Sequence, residues 1–224
     1  MNRRFALCVA IVASLALTGC SRFFIVKDSY NAVTRLALVQ YAVNPHIMMG
    51  TVNSDEAHFG VANANVKSFV DKMNGKPFSV MPIEEMKANP GYTGSAALDG
   101  YFTAPGMKFF TDDKGASKAE LSADTAKQLC AALNVDAVAI IYDSWGQQSA
   151  AMGFQAKASP VTFASIYDKT GSRIFSDVVH STSDESMASP GGIIATDVAT
   201  VVKSFNEAFN MSLDEMVKHI NGAK

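Results

Sequence analysis

Two stretches of this chain carry apolar side chains at nearly every position: Val33-Thr34-Arg35-Leu36-Ala37-Leu38-Val39-Gln40-Tyr41-Ala42-Val43, closed by Asn44-Pro45, and Val135-Asp136-Ala137-Val138-Ala139-Ile140-Ile141-Tyr142. Neighbouring side chains on a strand point to opposite faces, so a continuous apolar run must be covered on both sides. These two strands therefore belong at the centre of a sheet with helices laid over it. The second run follows a helical pattern after only Asn134, and helix-to-strand connections this short suggest an α/β layer.

The covering helices are legible from caps and periodicity. Ser54 followed by Asp55 and Glu56 starts one, and Phe59, Ala62, Val66, Phe69, Val70 and Met73 recur at helical spacing until Asn74-Gly75 stops it. Pro77–Met81 reads as a strand, and Pro82 with Glu84 and Glu85 opens a short helix that ends at Asn89-Pro90-Gly91. Ser122 caps a further helix through Leu133. Residues 154–158, 161–167 and 173–180 alternate as antiparallel strands, the last two joined by Asp168-Lys169-Thr170-Gly171. Between them and the second central strand, Gln147–Gly153 reads as a mobile stretch. The closing segment, Ile193–Ile220, places Val198, Val201, Val202, Phe205, Phe209, Val217 and Ile220 on one broad helical face, with an interruption expected near Asn210–Ser212. The fold class expected is α/β: a mixed sheet with helices packed on it and a long C-terminal helix, in a single domain spanning residues 32–224. Residues 92–118 mix glycine and proline with Tyr92, Tyr101, Phe102, Phe109 and Phe110 and give no regular pattern.

The first residues say where such a domain is held. Arg3-Arg4 precede an uncharged run from Phe5 to Leu17, then Thr18-Gly19-Cys20-Ser21, which is the order of regions in a secretory signal peptide. The run is too short for a spanning helix, which needs about 20 apolar residues. Leu17-Thr18-Gly19-Cys20 resembles the bacterial lipobox. That resemblance implies cleavage before Cys20, acylation of its thiol and new amino group, and, with Ser21 and no aspartate after the cysteine, release to the outer membrane. Residues 1–19 are then signal peptide and residues 20–31 an acylated anchor and short linker. Phe23-Phe24-Ile25-Val26 is too apolar for a free tether, so it docks on the domain or lies on the lipid surface.

Removing residues 1–19 leaves 205 residues, enough for one sizeable core. Nineteen basic residues less Arg3 and Arg4 leave 17 against 21 acidic, and the scattered cations give no track for a nucleic acid. Cys8 leaves with the signal and Cys20 is acylated. Cys130 then has no thiol to pair with, and its apolar surroundings predict a buried small hydrophobe.

Each motif with a chemical lookalike has a plainer reading. Asp168-Lys169-Thr170-Gly171-Ser172 is close to the phosphorylation motif of cation-pumping ATPases, but a second strand follows at once, and these are turn residues. Asp143-Ser144-Trp145-Gly146 lacks the glycine-flanked serine of a nucleophile elbow; packing suits Trp145 best, and a pocket or interaction tip is the other reading. His46, His58, His180 and His219 have no two-histidine ligand spacing, so no metal and no cofactor is expected. His180 with Asp177, Asp184 and Glu185 is the best local cluster for acid–base or metal chemistry, but Ser181-Thr182-Ser183 around it reads as a solvated loop. Pro190-Gly191-Gly192 reads as the lead into a helix.

The order of elements, with Ala132-Leu133-Asn134-Val135-Asp136-Ala137-Val138 at the helix-to-strand step, resembles the periplasmic α/β domain of the curli secretion lipoprotein CsgG, the penicillin-binding-protein activator lipoproteins and the TolB amino-terminal domain. The resemblance implies a scaffold that binds proteins and performs no chemistry. The expectation is a non-enzymatic lipoprotein on the periplasmic face of the outer membrane, engaging envelope proteins or another copy of itself. The alternative is a small-molecule or lipid-binding lipoprotein. Trp145, Tyr101, Phe102, Phe109 and Phe110 form the candidate binding surface, and Cys20 is the lipidation site.

Overall fold

The computed structural model describes residues 23–44, 54–90, 118–150 and 153–223. In chain order these form β1 (Phe24–Ile25), α1 (Lys27–Asn31), β2 (Arg35–Val43), α2 (Asp55–Met73), β3 (Ser79–Val80), α3 (Ile83–Ala88), α4 (Ala123–Leu133), β4 (Ala137–Ser144), β5 (Gln147–Ala150), β6 (Gln155–Ala158), β7 (Val161–Asp168), β8 (Arg173–His180), β9 (Ser186–Ala188), a 3₁₀ turn (Pro190–Gly192) and α5 (Val198–Gly222).

The larger sheet has the order β1-β8-β7-β4-β2-β3. The two apolar runs are its central parallel pair: β2 lies beside β4, from Leu36 opposite Ala137 to Val43 opposite Asp143, with a bulge between Leu38 and Gln40. β3 also runs parallel to β2. On the other side β7 and β8 pair antiparallel, so the sheet is mixed. Every residue of β2 after Arg35 is buried, as two-sided covering requires.

α2 and α5 pack together over one face and α4 lies on the other. Tyr41, Ile141 and Asp143 point toward α2 and α5. Val138 and Tyr167 point the opposite way, where the Tyr167 hydroxyl accepts from the Leu121 backbone N–H at 3.1 Å. The expected caps are formed: Ser54 accepts from Ala57 N–H and Ser122 from Thr125 N–H. Asn134 ends α4 in the left-handed conformation at φ 53°, which asparagine tolerates better than most residues.

One open alternative is decided and three local expectations change. Phe23–Val26 docks on the domain: Phe24 and Ile25 pair antiparallel with Ser176 and Phe175, and the Phe23 ring meets Phe175 edge-on at 6.1 Å. Gln147–Ala150 is ordered as β5, the edge of a small antiparallel sheet β5-β6-β9. α5 runs unbroken through Asn210–Ser212, because Asn210 bonds Ser68 and Ser212 bonds Ser181. Finally, the strand expected over 77–81 shortens to Ser79–Val80. Among the described residues, no helix is long and apolar enough to cross a membrane.

Candidate functional site

The most unusual chemistry lies inside the domain, between the sheet and the α2–α5 layer. Asp143 ends the apolar run of β4 and has no exposed surface. Its Oδ2 accepts from the Tyr41 hydroxyl at 2.8 Å, the Trp145 indole N–H at 2.9 Å and the Asn65 amide at 3.3 Å; its Oδ1 accepts from the Thr162 hydroxyl at 2.8 Å. Burial pushes this carboxyl up to about 6, against the pull of those four donors toward the ionised form. Burial likewise holds the Tyr41 hydroxyl well above its usual range.

The network spreads from there into both helices. Asn206 on α5 donates to Asn65 at 3.0 Å and to Ser68 at 2.9 Å on α2. Thr162 reaches Ser212 at 3.3 Å, and Ser212 meets Ser181 at 2.9 Å. A second buried pair, Ser183 and Ser204 at 2.8 Å, faces the start of β9. These bonds fix where two helices sit on the sheet. A general acid must reach the proton it moves, directly or through one water, and Asp143 is sealed from solvent; the centre positions structure and is not placed to meet a substrate.

Trp145 belongs to this centre, which corrects its candidacy as binding surface. It is 2 % exposed, stacked near His58 at 6.1 Å and tilted against Phe205 at 5.5 Å. Its backbone N–H is held by the Asn44 side chain at 2.8 Å. The other candidates, Tyr101, Phe102, Phe109 and Phe110, lie outside the described residues, as does Cys20.

The cluster expected around His180 is not brought together. Asp177 and His180 are three apart on β8 and so point to opposite faces. Asp177, 1 % exposed, meets His219 of α5 at 2.7 Å, and burial raises its carboxyl despite that partner. His180 faces Ser159 at 2.9 Å on the exposed side, and among the described residues no carboxylate holds its other nitrogen as a catalytic triad would require. Glu185 pairs with Lys203 at 2.8 Å. No group of three or more metal-binding side chains occurs among the described residues.

Asp168 closes the β7–β8 turn, accepting from Thr170 N–H at 2.9 Å and Ser172 N–H at 3.0 Å, as a turn aspartate does. Cys130 is buried, and desolvation pushes its thiol up to about 11.

Two concavities lie among the described residues. One, of about 360 Å³, is lined by Tyr30, Met73, Pro77, Val217 and Ile220 together with Lys76 and two asparagines. The other, of about 510 Å³, includes Arg35, Lys127, Asp136 and Lys169. Its cations are engaged by neighbours: Arg35 with Glu85, Lys127 with Asp124, Lys169 with Asp136. Thr34 and Lys169 hold the Asp136 carboxyl down at about 2.

No family model matches the chain, and no curated protein matches it in sequence. In structure it is similar to the lipoprotein GNA1162 from Neisseria meningitidis, with 11 % identical residues and a TM-score of 0.37 over 85 % of this chain and 98 % of that one. A likeness that slight carries no weight for fold or function.

Proposed function

We propose that this chain is a non-enzymatic lipoprotein, anchored through Cys20 to the periplasmic face of the outer membrane, whose α/β domain engages envelope proteins or a second copy of itself. The observation that carries the reading is β1. Four residues after Cys20, the chain already pairs with β8, and Val26 N–H donates to Ile174 at 2.8 Å. Only residues 21–23 lie between Cys20 and β1, so the domain is held close to the membrane, as suits a docking module. Two or three acyl chains at about 0.8 kcal/mol per buried methylene make that attachment durable.

The test is crosslinking in intact membranes followed by pull-down, comparing the lipidated protein with Cys20→Ala. The reading expects specific envelope partners, or its own dimer, recovered only from the anchored form. A monomer without partners in both forms contradicts it. The cavity beside Tyr30 and Ile220 favours a second reading, a lipoprotein that binds a small apolar molecule, since about 360 Å³ lies at the lower end of ligand pockets. Native mass spectrometry of the purified protein, searching for a retained ligand, separates the two.

A further inference from the structure

The two ends of the sheet differ in charge. At the end where β4 and β8 begin lie Arg35, Asp136, Lys169, Arg173 and Glu120, in several ion pairs. At the opposite end β4 leads into β5 and β8 leads toward β9, so the small sheet extends the domain there. Two segments at this end, residues 147–156 and 186–196, contain no Asp, Glu, Lys or Arg, although charged residues make up 18 % of the chain; Lys157 within β6 and Asp184, Glu185 and Asp197 beside β9 and α5 flank them. They also carry the two most exposed large apolar side chains among the described residues, Phe154 at 69 % and Ile193 at 52 %. Both belong to one surface: Ser189 N–H donates to Phe154 O at 2.9 Å, one 3₁₀ turn before Ile193, and the Gln147 amide reaches Gly192 O at 3.3 Å.

The direction of β1 relates this end to the anchor. β1 is antiparallel to β8, with Phe24 opposite Ser176 and Ile25 opposite Phe175, so the backbone enters β1 from the end that carries the small sheet. Cys20 lies three residues before Phe23, within about 10 Å of it at full extension. A charge-poor surface with protruding apolar side chains approaches a bilayer with few ions to desolvate. We propose that this end of the domain rests on the lipid surface, with Phe154 and Ile193 entering the interfacial layer; the inference rests on acylation of Cys20.

The test attaches the polarity-sensitive fluorophore NBD through Phe154→Cys in the full lipidated protein on phosphatidylethanolamine–phosphatidylglycerol vesicles. Cys20 is acylated and Cys130 is buried, so the introduced thiol takes the label. Asp124→Cys, labelled in the same way, is the control, since Asp124 is 86 % exposed at the charged end, where Ala123 backs onto the β7–β8 turn. The expected result is a blue shift and intensity gain for the Phe154→Cys label upon vesicle binding, with none for Asp124→Cys. Protein that floats with the vesicles while the Phe154→Cys label stays in water overturns the inference and leaves the anchor standing. Crosslinking of that position to a protein, with no shift on lipid, also overturns it. Protein that neither floats nor carries acyl mass refutes the anchor and this inference together.

Discussion

Replacing Asp143 by asparagine should remove a pH dependence that the wild-type fold carries at its centre. Burial raises this carboxyl from 3.8 to about 6. A group whose folded value is raised stabilises the fold fully below its unfolded value, and that stability is lost as pH rises through the folded value. Each unit is worth 1.36 kcal/mol, so between pH 3.8 and pH 7 the ionisation of Asp143 costs about 3 kcal/mol. Asparagine keeps the shape. Its carbonyl oxygen in the Oδ2 position still accepts from Tyr41, Trp145 and Asn65, and its amide in the Oδ1 position donates to Thr162, whose hydroxyl then donates to Ser212. Urea unfolding of wild type and Asp143→Asn across pH 4–8 checks this. The expected outcome is a variant more stable than wild type at pH 8 by up to about 3 kcal/mol, the gap closing toward pH 4. Asp177, also raised by burial, is present in both proteins and drops out of the comparison. A variant destabilised at pH 8, or a gap that does not change with pH, would show that the four donors outweigh the burial and would refute the reasoning.

Two further outcomes follow from particular contacts. Gly171 has φ +81°, and a Cβ there would sit 2.5 Å from the Ala123 carbonyl oxygen; Gly171→Ala should lower stability by about 1–3 kcal/mol in denaturant unfolding. Cys130, with its thiol pushed up to about 11, should resist thiol reagents in the native protein and react at once in urea, whereas rapid native labelling would mean that α4 opens.

The sequence marks the elements held by side-chain burial. The apolar runs became β2 and β4, and the α2 and α5 stripes became the faces against the sheet, because hydrophobic periodicity records which side is covered. β5 escaped notice, since Gln147–Ala150 has no apolar alternation and is ordered by its backbone ladder to β6. The sequence leaves the docking of Phe23–Val26 open, because pairing with a strand about 150 residues away leaves no local trace. The buried polar centre joins residues from β2, α2, β4, β7 and α5, and distance along the chain hides it. A faint signal was available: Asn65 lies at a buried phase of the α2 stripe and Ser204 and Ser212 at buried phases of α5, where a polar residue asks for a partner. Trp145, between a strand and a glycine, suits packing or a loop tip in local sequence, and its indole N–H on Asp143 decides for packing.

The account stands on the chemistry of one residue just ahead of β1, and the intact mass of the protein extracted from its native membrane tests that directly. The account predicts a chain that begins at Cys20 and carries the added mass of two or three acyl groups. A chain that retains residues 1–19, or one cut elsewhere with an unmodified Cys20, would contradict it.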